Sequence, residues 1–73
     1  MKDHKAYFVK IIKELMEEDG ISQLNLAAKI GMRQSQVHNW VAGKSMPGYF
    51  AIRQLANYFK VSADLILDTE YGD

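Results

Sequence analysis

The chain of 73 residues carries nine basic and nine acidic side chains, is 48% hydrophobic and contains no cysteine. That length makes one domain near the lower limit for a self-sufficient core, and the apolar content excludes a disordered chain. Disulfides and thiolate metal sites are excluded, and His4 and His38 are too few and too far apart to suggest zinc, so the fold must rest on packing, with or without help from dimerisation.

No apolar run approaches the roughly 18–20 residues of a membrane span. The N-terminus has no long apolar stretch after its charges, so a signal peptide is not expected and the cytoplasm is the default location. No carboxylate pair, nucleophile–base set or metal-ligand spacing suggests an enzyme, and no cofactor is expected. The zero net charge hides an uneven distribution. Residues 1–19 sum to −1, residues 20–63 to +5 without a single acid, and residues 64–73 to −4. A basic middle can attract a polyanion even where the whole chain is neutral.

In chain order, Asp3 is placed to cap a first helix over His4–Glu18. Phe8, Ile11, Ile12, Leu15 and Met16 recur at helical spacing and form its apolar stripe, while Lys10, Lys13, Glu14, Glu17 and Glu18 read as a solvated face. Gly20 suits the left-handed residue that ends a helix. Ser22 is the expected cap of a second helix, Gln23–Ile30, whose inward residues are Leu26, Ala27 and Ile30. The small Ala27 permits the close approach of a neighbouring helix. Leu24 is surplus to that face.

Gly31 is the turn glycine, with Met32 expected to fill the corner beneath it. A third helix is predicted over Gln34–Ala42, ended by Gly43. Pro47 and Gly48 then mark the approach to a fourth helix, Tyr49–Lys60, with Ile52, Leu55, Ala56 and Phe59 inward. Ser62 is the expected cap of a short fifth helix, Ala63–Leu67, with Asp64 near its positive end. No segment alternates as a strand would. The expectation is an all-α domain of five helices over residues 1–68, followed by an acidic tail at 69–73.

The third helix has two contrasting sides. At about 100° per residue, Arg33, Val37, Trp40 and Val41 fall together, with Trp40 read as core. Ser35, Asn39 and Ala42 share the opposite side, flanked by Gln36 and His38. This outer side is polar yet nearly uncharged, unlike a merely solvated helix rich in Glu and Lys. Amide side chains carry a donor and an acceptor in one plane and can pair with the edge of adenine, while small residues let a backbone approach the floor of the major groove. Gln34 lies in the first turn, the end that commonly points at the bases in such a geometry. The candidate base contacts are therefore Gln34, Ser35 and Asn39, then Gln36 and His38. Phosphate contacts are expected from the flanks: Gln23, at a helix N-terminus whose free amides favour an anion, Arg33 and Lys44.

Three runs together carry a family resemblance: Gln23-Leu24-Asn25-Leu26-Ala27-Ala28-Lys29-Ile30-Gly31, then Ser35-Gln36-Val37-His38-Asn39-Trp40, then Gly43-Lys44-Ser45-Met46-Pro47. With Leu55–Ser62 and Leu65-Ile66-Leu67 they resemble the lambda-repressor-like, Cro-type helix-turn-helix family over about residues 7–67. The resemblance implies a five-helix domain that binds double-stranded DNA without a cofactor, often as a dimer on a two-fold operator. It also implies a base-reading role for Gln34, Ser35 and Asn39, and phosphate contacts from Gln23 and Lys44.

There are three departures. Arg33 stands where a Ser or Thr cap is usual. Val41 and the region of Met16 are apolar where many members pair a Glu with an Arg, which reads as packing in place of an ion pair. The chain is also less basic than such a domain usually is, so its non-specific DNA affinity is expected to be modest.

A sequence-specific transcriptional regulator, most simply a repressor of phage or mobile-element type, is the first expectation. The alternative is an antitoxin or anti-repressor acting mainly through contact with a toxin or repressor protein. Leu24, Phe50, Tyr58, Leu65 and Leu67 are apolar positions that one monomer's core does not obviously need. Tyr58, Leu65 and Leu67 are the expected homodimer contact.

Overall fold

A computed structural model describes residues 4–67; Asp3 and the acidic tail lie outside them. Five helices follow in order: α1 (His4–Asp19), α2 (Gln23–Ile30), α3 (Gln34–Val41), α4 (Tyr49–Phe59) and α5 (Ala63–Leu67). No strand occurs among the described residues. α2 packs on α3 and α4, while α1 packs on α3 and α5 and α5 also touches α4. All five helices thus contribute to a single core.

That core contains the residues whose spacing marked them as inward. Phe8 and Ile12 from α1, Leu26, Ala27 and Ile30 from α2, Val37 and Trp40 from α3, and Ile52 and Leu55 from α4 are all buried. The Phe8 and Trp40 rings meet edge to face, with centroids 6.5 Å apart, so the indole belongs to the core. Ile11, Leu15 and Met16, expected on the same stripe as Phe8, are only half-buried, as are Ala56 and Phe59, expected inward on α4. Ala51 and Ile66 join the core although no helical pattern had singled them out.

Two devices recur at the helix ends, a serine cap at the start of α2 and α5 and a left-handed residue after α1 to α4. Ser22 Oγ accepts the Asn25 amide at 3.1 Å, and Ser62 Oγ accepts the Leu65 amide at 3.2 Å; each satisfies a donor that has no intrahelical partner. At the far ends, a left-handed residue lets the next amide reach back to a carbonyl five residues earlier. Ile21 donates to Met16 (3.1 Å), Met32 to Ala27 (2.8 Å), Lys44 to Asn39 (2.8 Å) and Val61 to Ala56 (3.1 Å). This is the Schellman geometry. Three of the four left-handed positions are glycines, including Gly31 at φ 75° between α2 and α3; the fourth is Lys60, at φ 59°.

Lys60 corrects the expected end of the fourth helix, which stops at Phe59. A residue that turns left-handed cannot continue a right-handed helix. The third helix likewise ends one residue earlier than predicted, with Ala42 as its cap.

Tyr58 is half-buried and packs against the core. Its hydroxyl donates to Asp19 Oδ2 at 2.7 Å and ties α4 to the end of α1. The Asp19 hydrogen bond, then partial burial and the nearby negative charge, raise the Tyr58 phenol above its ordinary value. Tyr7 makes a parallel tie, donating from its hydroxyl to the Leu65 carbonyl at 2.7 Å.

Candidate nucleic-acid interface

α2, the Gly31 turn and α3 form the unit that presents the outer residues of α3. Val37 and Trp40 anchor the inner side of α3, and Leu26, Ala27 and Ile30 meet them from α2. The buried Ala27 adds only a methyl group where α2 meets its neighbours. Gly31 turns the chain between the two helices, and Met32 packs against the core beneath it.

With that side held inward, Gln34, Ser35, Gln36 and His38 are exposed and Asn39 is half-buried. The structure thus places the five candidate base-reading residues on the accessible side of α3. Val41, at the other edge, packs against the core and borders a shallow cleft with Lys5, Val9 and Lys13 of α1. Apolar packing therefore occupies the position where the family resemblance led to the expectation of packing in place of an ion pair.

Arg33 is the residue before α3, in extended backbone at φ −85° and ψ 148°. Its guanidinium has no acceptor and cannot cap the helix. Half of the reciprocal capping pair survives: Gln36 Oε1 accepts the Arg33 amide at 2.9 Å. Gln36 therefore spends its carbonyl on the start of the helix and retains its NH₂ group for other contacts. The Arg33 side chain is exposed and free of that duty.

Gln23, the first residue of α2, is half-buried. Its Oε1 lies 3.3 Å from Nδ1 of His38. Two candidates drawn from opposite ends of the motif are thus in direct contact, a pairing their separation of 15 residues does not announce. Lys44, beyond the cap of α3, is exposed, and its backbone amide is held by the Asn39 carbonyl. Lys29 is exposed at the other end of α2.

An open cleft of about 400 Å³ separates α3 from the following loop and the start of α4; Gln36, Asn39, Ser45, Met46, Tyr49 and Phe50 are among its lining residues. Tyr49 and Phe50 are 78% and 60% exposed, and the Arg53 guanidinium stands 5.9 Å from the Tyr49 ring centre. Sequence reasoning singled out Phe50 as surplus to the core but gave no role to Tyr49 or Met46. The available signal was their place beside Pro47 and Gly48, ahead of the inward stripe of α4.

Among the described residues, no group of three or more His, Cys, Asp or Glu side chains could hold a metal. No helix there is long and apolar enough to cross a membrane.

Two packed helices joined by a glycine turn, with a polar outer side on the second, define a helix-turn-helix DNA-binding domain. Residues 12–66 match the profile of the Cro/C1-type helix-turn-helix family, and the chain belongs to that family. Its members are DNA-binding transcription regulators and are generally not enzymes. The fold is similar to the solution structure of the SOS-response transcriptional repressor LexA from Eubacterium rectale. That likeness has a TM-score of 0.84 at 25% identity and covers 92% of this chain and 72% of the other. No match is found among curated proteins.

Proposed function

We propose that this chain is a sequence-specific transcriptional repressor, of phage or mobile-element type, that lays α3 in the major groove. Gln34, Ser35 and Asn39 read base edges there, with Gln36 and His38 beside them. Gln23, Arg33 and Lys44 hold the flanking phosphates. The observation that carries this reading is the exposed side of α3, polar and free of acids, set within a stretch of 44 residues that contains five bases and no Asp or Glu. The fold likeness to a transcriptional repressor supports the direction of regulation. The protein works without a cofactor, in the cytoplasm and as a homodimer on a two-fold operator. Leu65 and Leu67, 40% and 38% exposed on α5, are the apolar side chains proposed for the dimer contact.

Selection of bound duplexes from a random pool tests the proposal and reveals any half-site and its spacing. On the selected duplex, Arg33 and Lys44 predict a slope of log affinity against log salt of about −2 per bound copy, since each neutralised phosphate contributes about −0.9. Asn39→Ala is expected to weaken binding to the selected site by about 1–3 kcal/mol while changing random-duplex binding far less. Equal losses on both duplexes would remove Asn39 from the readers. A folded chain that binds no duplex at low salt would overturn the repressor assignment.

That last outcome would favour a second reading, an antitoxin or anti-repressor that acts by protein contact. Its support is the exposure of Leu24 and Phe50, 58% and 60%, neither of which the core uses.

A further inference from the structure

We propose that DNA binding by this domain takes up a proton at His38, whose Nδ1–H is committed to Gln23 and whose Nε2 then donates to a phosphate. This rests on the DNA-binding reading above but moves His38 from the base edges to the backbone, through a contact whose strength depends on pH.

The geometry supplies the reason. His38 is exposed on the outer side of α3, and its Nδ1 faces the Gln23 carboxamide oxygen at 3.3 Å. With the Gln23 oxygen in that place as acceptor, Nδ1 is the nitrogen that carries the hydrogen. A neutral imidazole carries only one, which leaves Nε2, across the ring, as a bare acceptor. A lone pair is the wrong group to turn toward a duplex backbone, whose phosphate oxygens are themselves acceptors. Protonation converts Nε2 to a donor without disturbing the bond to Gln23. Gln23 in turn stands at the first turn of α2, where free backbone amides favour the same anion.

The surroundings make the phosphate the natural counter-ion. Residues 20–63 contain no Asp or Glu. On and beside the motif the charged groups are Lys29, Arg33 and Lys44, and from α1 Lys5 and Lys13 border the C-terminal end of α3. The acids of α1, Glu14, Glu17, Glu18 and Asp19, are exposed, and Asp19 accepts from Tyr58. No carboxylate is therefore available within α2, α3 or their loops to pair with the imidazolium. An incoming phosphate favours the charged ring, and by linkage a ligand that favours the protonated form binds more tightly as pH falls. One proton sets the ceiling at about tenfold in affinity per pH unit.

The test is fluorescence anisotropy of the full chain on a selected duplex, at constant ionic strength, from about pH 5.5 to 8.5, where imidazole changes charge. Affinity is expected to rise severalfold as pH falls across this range. The salt slope should steepen by up to about 0.9 at the acidic end, as one more phosphate is neutralised. His38→Gln removes the proton site and should flatten both effects, whereas His4→Gln, changing the other histidine, should retain them. Circular dichroism on each variant across the same range separates unfolding from altered contact. Salt-dependent binding that is flat in pH, or a pH dependence that survives His38→Gln, overturns the proton linkage and leaves DNA binding standing. Absence of binding to any duplex at any pH overturns both.

Discussion

The four Schellman ends make backbone handedness a measurable part of this domain's stability, and two opposite substitutions isolate it. Gly31 sits at φ 75° and ψ 32°, with no heavy atom within 4 Å of where a Cβ would stand. Gly31→Ala therefore creates no clash, and its cost is conformational alone. An L-residue held left-handed loses about 1–2 kcal/mol, while replacing Gly stiffens the unfolded chain and returns about 0.4–1 kcal/mol. The net loss is about 1 kcal/mol, and for a domain of this size the melting temperature falls by about 4–8 °C.

Lys60 presents the reverse case, an exposed side chain at φ 59° and ψ 44°. Lys60→Gly relieves the same strain and loses the same kind of unfolded-state restriction. It should raise the melting temperature by a few degrees while the Val61 amide keeps its bond to Ala56. Thermal unfolding followed by circular dichroism, supported by urea titrations, reads both variants. If Gly31→Ala melts with the parent chain, or Lys60→Gly melts below it, left-handed strain is not the quantity that separates these positions.

Arg33→Ser should complete the half-formed capping pair, because a serine Oγ can accept the Gln36 amide while Gln36 continues to accept from residue 33. Stability should rise by about 1 kcal/mol in urea unfolding, and DNA affinity should fall with loss of a cation. A variant that gained neither stability nor a weaker salt slope would contradict both assignments for this position. Tyr58→Phe bears on alkaline stability. The raised phenol is protonated in the folded chain, so its contribution is fully present below about pH 10, the ordinary tyrosine value, and is lost as pH rises through the higher folded value. Urea midpoints of parent and variant should therefore converge above pH 10, whereas a gap independent of pH would mean that the Asp19 bond does not set it.

The sequence by itself determined the parts of this protein that arise within a turn or two of chain. Helical spacing marked Phe8, Ile12, Leu26, Val37 and Leu55 as inward, because a side chain's face follows from its position along a regular helix. Ser22 and Ser62 cap over three residues, and Gly31 turns the chain locally; each could be read without knowing what lay opposite. The polar outer side of α3 was legible for the same reason, since burying Val37 and Trp40 leaves Ser35 and Asn39 no other direction.

Tertiary structure alone decided the features that require two distant segments to meet. Tyr58 read only as an apolar position beside the core stripe; that its hydroxyl meets Asp19, 39 residues away, depends on how α4 lies against the end of α1. Lys60 carries no glycine signature, and its left-handed backbone follows from where α4 must stop for Val61 to pack inward. Gln23 and His38 were each selected from the chain as separate DNA contacts. Their hydrogen bond, and with it the orientation of the imidazole, exists only because the Gly31 turn brings the start of α2 beside the outer side of α3.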